Sequence, residues 1–318
     1  MDSSEQCCVN HFADRLSATV ARCGNPVLVG LDPRWEQLPD SLREGIDPGS
    51  LQQRAVAYTR FCCGVIDVVA SIVSAVKPQA AFFEELGPAG MQALWDVIAH
   101  ARKQGLLVVL DGKRNDIGTT AAAYAEAYLG AGAASPWGAD ALTVSPYLGD
   151  DSLTPFVDVA KQRGAGIFVL VKTSNPGGKT FQDLLVDGRP LYEHVAALVE
   201  SQSGQTLGDC GYGAVGAVVG ATYPEQLRSL RALMPHTWLL VPGFGAQGGS
   251  AADVAGAFDE RGMGAIVNNS RGIIFAHVRP EYREKFGANR WQQAVEAATR
   301  DMIDQLRADT PAGRLENR

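Results

Sequence analysis

Residues 107–121 read LVVLDGKRNDIGTTA, and how this stretch is understood decides the fold. Its apolar opening runs directly into Asp111, Lys113, Arg114 and Asp116. An apolar run without polar alternation suits a strand buried on both faces, as in a parallel sheet. Asp111 and Lys113 stand two residues apart, so on an extended strand end both side chains point to the same side. Asp116 follows just before a helix expected to begin near Gly118, where it or Thr119 or Thr120 could serve as N-cap. Carboxylates flanking Lys113 would keep its ammonium protonated, because nearby opposite charge favours the charged form.

Seven further runs of the same kind surround this one. They are PVLVGLD (26–32), VSAVKPQAAFF (73–83), ALTVSPYL (141–148), GIFVLVKTS (166–174), AVGAVVGAT (214–222), TWLLVPGFG (237–245) and GAIVNNSR (264–271). Between them lie segments with apolar residues at helical spacing, such as 51–72, 88–104, 121–129 and 289–308. Several open on Pro or Ser and several end near Gly. Eight strands alternating with helices predict an α/β fold of the (β/α)8 TIM-barrel type, for which roughly 250 residues is typical. A doubly wound open sheet is the rival, but no GxGxxG follows the first run.

Residues 1–318 are therefore expected to form a single barrel domain with its core at roughly 26–276. The surplus is assigned to an N-terminal helix (1–25), a long loop after strand five, and a C-terminal helix and tail (277–318), frayed after Asp309. The loop, SNPGGKTFQDLLVDGRP (174–190), has the length and Gly/Pro content of an active-site lid.

Composition narrows the partners. The chain is 46% hydrophobic and 20% charged, with net charge −7 and no dense Lys/Arg tract. That argues against nucleic acid or an anionic membrane as main partner. There is no uninterrupted apolar run long enough to span a bilayer, and the start MDSSEQCCVNHFADRL lacks the pattern of a signal peptide. Cysteines 7, 8, 23, 62, 63 and 210 show no metal-ligand spacing. They suit reduced thiols in a cytoplasmic protein.

In such barrels chemistry gathers at the C-terminal strand ends. Those ends carry Asp32, Lys77, Asp111 with Lys113, Ser145, Lys172, Thr222, Gln247 and Arg271. Two Gly-rich stretches, VPGFGAQGGS (241–250) and NNSRGI (268–273), follow strands seven and eight. Loops there form the common phosphate site of this fold, with backbone N–H groups at helix starts supplying the dipole.

The DGKRNDIGTTA segment fits the Asp-x-Lys-x-x-Asp-Ile-x-x-Thr pattern through Asp111, Lys113, Asp116, Ile117 and Thr120. With LVGLD (Asp32), VKPQAAFFE (Lys77), SPYLG (Ser145), PGFGAQGG (Gln247) and NNSRG (Arg271), the chain resembles the orotidine 5′-monophosphate decarboxylase family. FFEELGPAG and VKTSNPGG give it the look of that family's longer bacterial subgroup. The resemblance implies conversion of orotidine 5′-phosphate to UMP with neither metal nor organic cofactor. It also implies a homodimer in which Asp116 and Thr120 serve the partner's site. Lys113 would protonate the carbanion, with Asp111 beside the departing carboxylate and Lys77 and Asp116 completing a charge network. Asp32, Lys77 and Thr120 would hold the ribose hydroxyls, Ser145 and Pro242 the base, and Gln247, Gly248 and Arg271 the phosphate. Asn175 would act from the lid, while Lys172 suits a salt bridge at the loop base.

Three other readings use the same residues. A sugar-phosphate lyase or synthase would gather carboxylates on Mg²⁺. A class I aldolase would need a neutral lysine. A catalytically dead nucleotide-binding barrel would have no use for Asp111 beside an anion.

Overall fold

Each of the eight apolar runs contains a strand, though the strand is often shorter than the run. In chain order these are β1 (Val27–Leu31), β2 (Ala75–Pro78), β3 (Leu107–Arg114), β4 (Ala141–Val144) and β5 (Gly166–Lys172). A small hairpin, β6 (Leu185–Val186) and β7 (Arg189–Pro190), precedes β8 (Val215–Val219), β9 (Leu239–Val241) and β10 (Ala265–Asn269). The structure is a computed structural model that describes residues 11–130, 134–245, 249–287 and 289–315. The eight longer strands close into a barrel in the order β1-β10-β9-β8-β5-β4-β3-β2, every pairing parallel. β1, β2, β4, β8, β9 and β10 are buried along their whole length, which is why their sequences do not alternate.

The run 73–83 divides between two elements: after Pro78 the chain turns, and Ala81–Glu84 begins a short helix. Apolar content alone cannot separate a buried strand from a buried helical turn. The amphipathic segments at 51–72, 88–104 and 121–129 become helices Leu51–Val69, Gly87–Lys103 and Gly118–Tyr128. The loop expected at 174–190 is organised: Pro176–Gly178 and Lys179–Gln182 form short turns of helix, and β6 pairs antiparallel with β7.

The N-terminal helix spans Phe12–Cys23 and closes the floor of the barrel. Phe12 is 1% exposed and meets Phe168 edge-on with ring centroids 6.0 Å apart. Gly166 opens β5 directly beneath it, and a Cβ there would lie 2.2 Å from the Phe12 ring. Arg15 adds a 2.5 Å ion pair to Asp140 and a 2.9 Å bond to the Gly164 carbonyl. Asp140 accepts in turn from the Val108 backbone N–H at 2.9 Å. Truncating Phe12→Ala is expected to lower stability by about 3–4 kcal/mol, the cost of a large aromatic cavity. Urea unfolding checks the loss, and turnover per folded molecule stays unchanged because the floor lies opposite the strand C-termini.

At the other terminus, helix Trp291–Asp309 docks through Trp291, which stacks near Phe61 at 5.4 Å over Gly64. The expected fraying after Asp309 does not occur through residue 315. Thr310 caps a 3-10 turn over Pro311–Arg314, and Ala312 is fully buried against the segment around Gly262. The tail is short and polar enough to read as loose, but its one small apolar residue finds a seat in the fold.

Candidate active site

The charged strand ends meet in one cleft at the barrel mouth, enclosing about 310 Å³. Asp32, Lys77, Asp111, Lys113, Asn175, Pro242 and Arg271 all line it. At its centre Asp111 bridges two lysines: Lys77 Nζ donates to Oδ2 at 2.7 Å and Lys113 Nζ donates to Oδ1 at 2.6 Å. The Thr143 hydroxyl donates to the same Oδ1 at 3.0 Å. Burial opposes ionisation of Asp111, but the Lys77 and Lys113 ammonium groups outweigh it and hold the carboxyl well below the usual range. Burial likewise opposes the charge of Lys77, yet the carboxylates of Asp111 and then Asp32 raise its pKa.

Lys113 reaches Asp111 by a distorted backbone rather than regular alternation. Leu110 pairs with Leu142, but the next partners are Arg114 and Val144, so four steps on β3 match two on β4. Lys113 sits inside this bulge at φ 45°, a left-handed conformation that L side chains rarely adopt. Its N–H donates to the Thr143 hydroxyl at 2.9 Å. Bulges of this sort re-aim side chains beside active sites.

Substituting Asp111→Asn would leave Lys77 buried against a neutral amide. Loss of about 3 kcal/mol of stability at pH 7 is expected, in the range for breaking a buried pair. The signs set the window. The folded carboxyl of Asp111 titrates below its ordinary 3.8, so its contribution is complete above that value and fades as pH falls toward the folded one. Lys77 titrates above its ordinary 10.5, so its contribution is complete below that pH and is lost as pH rises through the raised value. The gap between wild type and Asp111→Asn should therefore stay flat from about pH 5 to 9, narrowing below about pH 4 and again at alkaline pH as Lys77 deprotonates. Urea titrations across that range measure it; a gap closing between pH 7 and 5 would assign the effect to another group.

Other expected residues lie elsewhere. Asp116 does not line this chain's cleft; its Oδ1 accepts from the Ile117 N–H at 2.8 Å. The N-cap position of helix Gly118–Tyr128 is Ile117, without a side-chain cap, so neither Asp116, Thr119 nor Thr120 caps it. Asp116 is half-buried, and the residues after it, from Ile117 (57% exposed) to Thr120, are exposed. Ser145 is half-buried off the cleft, its N–H donating to the Arg114 carbonyl at 3.0 Å. Gln247 and Gly248 lie outside the described residues. Lys172 is turned away from the cleft, paired with Asp183 of the loop and flanked by the Tyr192 and Tyr223 rings at 5.1 and 5.3 Å. It fastens the loop base, as its simpler reading suggested.

The sequence reading missed Gln79, Thr143, Asn268, Asn269 and Ser270, all of which line the cleft. Thr143 is the one polar residue inside ALTV, a signal available from the sequence. The other strand-end residues sat inside quoted motifs, overshadowed by Lys77 and Arg271. Asn269 Oδ1 accepts from the Gly272 N–H at 3.1 Å and shapes the turn that presents Arg271. Asp32 Oδ1, Asn268 Oδ1 and Ser270 Oγ are buried polar atoms with no hydrogen-bond partner among the described residues.

This cleft of alternating charge, with an arginine at its far end, coincides with a family signature. The profile described as "Orotidine 5'-phosphate decarboxylase / HUMPS family" matches residues 25–284. The chain belongs to this family. It is 60% identical over 298 residues to orotidine 5′-phosphate decarboxylase of Rhodopirellula baltica, covering 93% of this chain and 99% of that one. The Deinococcus radiodurans enzyme of the same name is 48% identical over 83% of this chain and 89% of its own. Among solved structures, Leishmania donovani OMP decarboxylase superposes with a TM-score of 0.72 at 34% identity, covering 94% of this chain and 98% of its own.

Proposed function

We propose that this chain decarboxylates orotidine 5′-phosphate to UMP, the last step of de novo pyrimidine synthesis, without a cofactor. The observation that carries the reading is the Lys77–Asp111–Lys113 array across the cleft floor. Loss of CO₂ from C6 leaves an electron pair that the pyrimidine π system cannot delocalise. The remaining means are electrostatic stabilisation and rapid protonation. Lys113 supplies both: its ammonium faces the developing charge and then gives C6 a proton, which solvent restores. Asp111 lies by the departing carboxylate, and Lys77 keeps Asp111 ionised and fixed.

The rest of the cleft supports a nucleotide. The unpartnered oxygens of Asp32 and Asn268 are acceptors suited to sugar hydroxyls or base N–H groups. Arg271, with Gln247 and the amides near Gly248, takes the phosphate; Pro242 flanks the base, Ser145 approaches it from beside the cleft, and Asn175 closes from the loop. Binding energy at the phosphate can organise the site and so raise turnover. Asp116 and Thr120, which do not line this chain's own cleft, complete the site of a second copy in a homodimer.

A Mg²⁺-dependent reading fits the donors less well. Asp111 already accepts from two ammonium groups and a hydroxyl. Among the described residues no group of three or more His, Cys, Asp or Glu is placed to hold a metal ion. A Schiff base on Lys113 or Lys172 would need a neutral amine, whereas Lys113 donates to the Asp111 carboxylate and Lys172 is paired with Asp183. A cytoplasmic home is part of the proposal, supported by free thiols at Cys23, Cys62, Cys63 and Cys210. Among the described residues no helix is long and apolar enough to cross a membrane.

The test is the fall in ultraviolet absorbance when purified protein meets orotidine 5′-phosphate. Folded dimer that leaves the absorbance unchanged would overturn the proposal.

A further inference from the structure

Lys113 holds a left-handed backbone conformation, φ 45°, that persists only where neighbouring contacts over-determine it. On the cleft side the Thr143 hydroxyl takes the Lys113 N–H. On the outer side the next residue, Arg114, does the corresponding work. Its Nη1 donates to the Gly112 carbonyl at 3.0 Å, so the peptide group that leads into Lys113 is held at its N–H by Thr143 and at its C=O by Arg114. Its Nη2 pairs with Glu84 and lies 3.4 Å from the Tyr128 hydroxyl. The guanidinium also lies against the Tyr124 and Tyr128 rings, 5.8 and 5.5 Å from their centroids. Arg114 itself does not line the cleft.

The three elements it joins each lead to a functional residue. Glu84 closes the short helix that follows β2 and Lys77. Gly112 separates Asp111 from Lys113. Tyr124 and Tyr128 belong to the helix that begins just after Asp116. A planar, permanently charged fork can serve a carbonyl, a carboxylate and aromatic faces together, whereas an ammonium group cannot.

We propose that Arg114 is a positioning residue, acting through the Gly112 carbonyl to hold the Lys113 ammonium at the distance from C6 that protonation requires. This inference rests on the decarboxylation reading above. Binding of the nucleotide does not depend on Arg114, so its loss falls on the chemical step.

The experiment compares wild type, Arg114→Ala, Arg114→Lys and Glu84→Ala as full-length protein. Steady-state kinetics with orotidine 5′-phosphate are set beside UMP-binding stoichiometry, which counts folded sites. Arg114→Ala is expected to lower kcat per UMP-binding site by roughly 30–100-fold, as a displacement near 1 Å can do. KM should stay within about threefold, since removing an interaction felt only in the transition state leaves binding intact. Sub-denaturing guanidinium ion should restore part of the lost kcat, while Arg114→Lys should remain impaired. If Arg114→Ala does not fold, Glu84→Ala decides, with a several-fold fall in kcat expected at unchanged KM. Unchanged kcat per site, or a loss confined to KM, overturns the inference and leaves the decarboxylase reading standing. A wild type that binds UMP but releases no CO₂ overturns both.

Discussion

Lys113→Met should lower kcat by about 10⁴-fold or more while leaving UMP binding nearly intact. A positioned proton donor contributes about 10²–10⁴-fold and a charge aimed at the developing anion about 10²–10³-fold, so losing both together costs at least some 5 kcal/mol of transition-state stabilisation. Methionine keeps the unbranched stem, one atom shorter, and removes the charge, so packing changes little. The buried pair between Lys77 and Asp111 at 2.7 Å survives the change and continues to hold Asp111 in place. The Lys113 side chain is 47% exposed, so its removal should not unfold the protein. Single-turnover release of CO₂ and calorimetric UMP binding separate the two effects. A variant retaining more than about a hundredth of the wild-type kcat would show that another group delivers the proton.

Mixing two inactive variants, Asp116→Ala and Lys113→Ala, is expected to restore activity that neither has alone. In this chain Asp116 lies off the cleft and is followed by exposed residues from Ile117 to Thr120, while Lys113 lines the cleft. If each site draws Lys113 from one protomer and Asp116 from its partner, a hybrid dimer contains one intact site and one doubly defective site. Random re-pairing should then recover about a quarter of wild-type activity, because half of the dimers of a two-fold symmetric protein are hybrids. The recovery should appear only as subunits exchange, which differently tagged chains report independently. Complete exchange without recovery would mean that Asp116 acts within its own chain or not at all.

Much of this is legible in the sequence. Eight buried strands leave an unmistakable mark because burial on both faces removes alternation, and Asp32, Lys77, Asp111, Lys113 and Arg271 stand out against that background. Thr143 was harder to see, since a lone threonine in an apolar strand is also an ordinary core residue; its hydroxyl gains meaning only from Asp111 and Lys113 across the strand pair. The docked tail was misread for a similar reason. Ala312 is too small to signal burial, and its seat is made by a turn near Gly262, far away in sequence.

The sequence by itself determined the barrel, the order of its strands and which charged groups arrive at its mouth, because strand burial and strand-end position are written in local residue pattern. Only the tertiary structure decided how LVVLDGKRNDIGTTA is divided. It turned Asp111 and Lys113 into the cleft through a bulge and left Asp116 outside it. It also set Arg114, which the sequence left without a role, against Glu84 and two tyrosines as a brace. The physical reason is that a positive φ, a two-lysine bridge to one carboxylate and a guanidinium shared by three elements depend on contacts between residues distant in sequence, which no local pattern records.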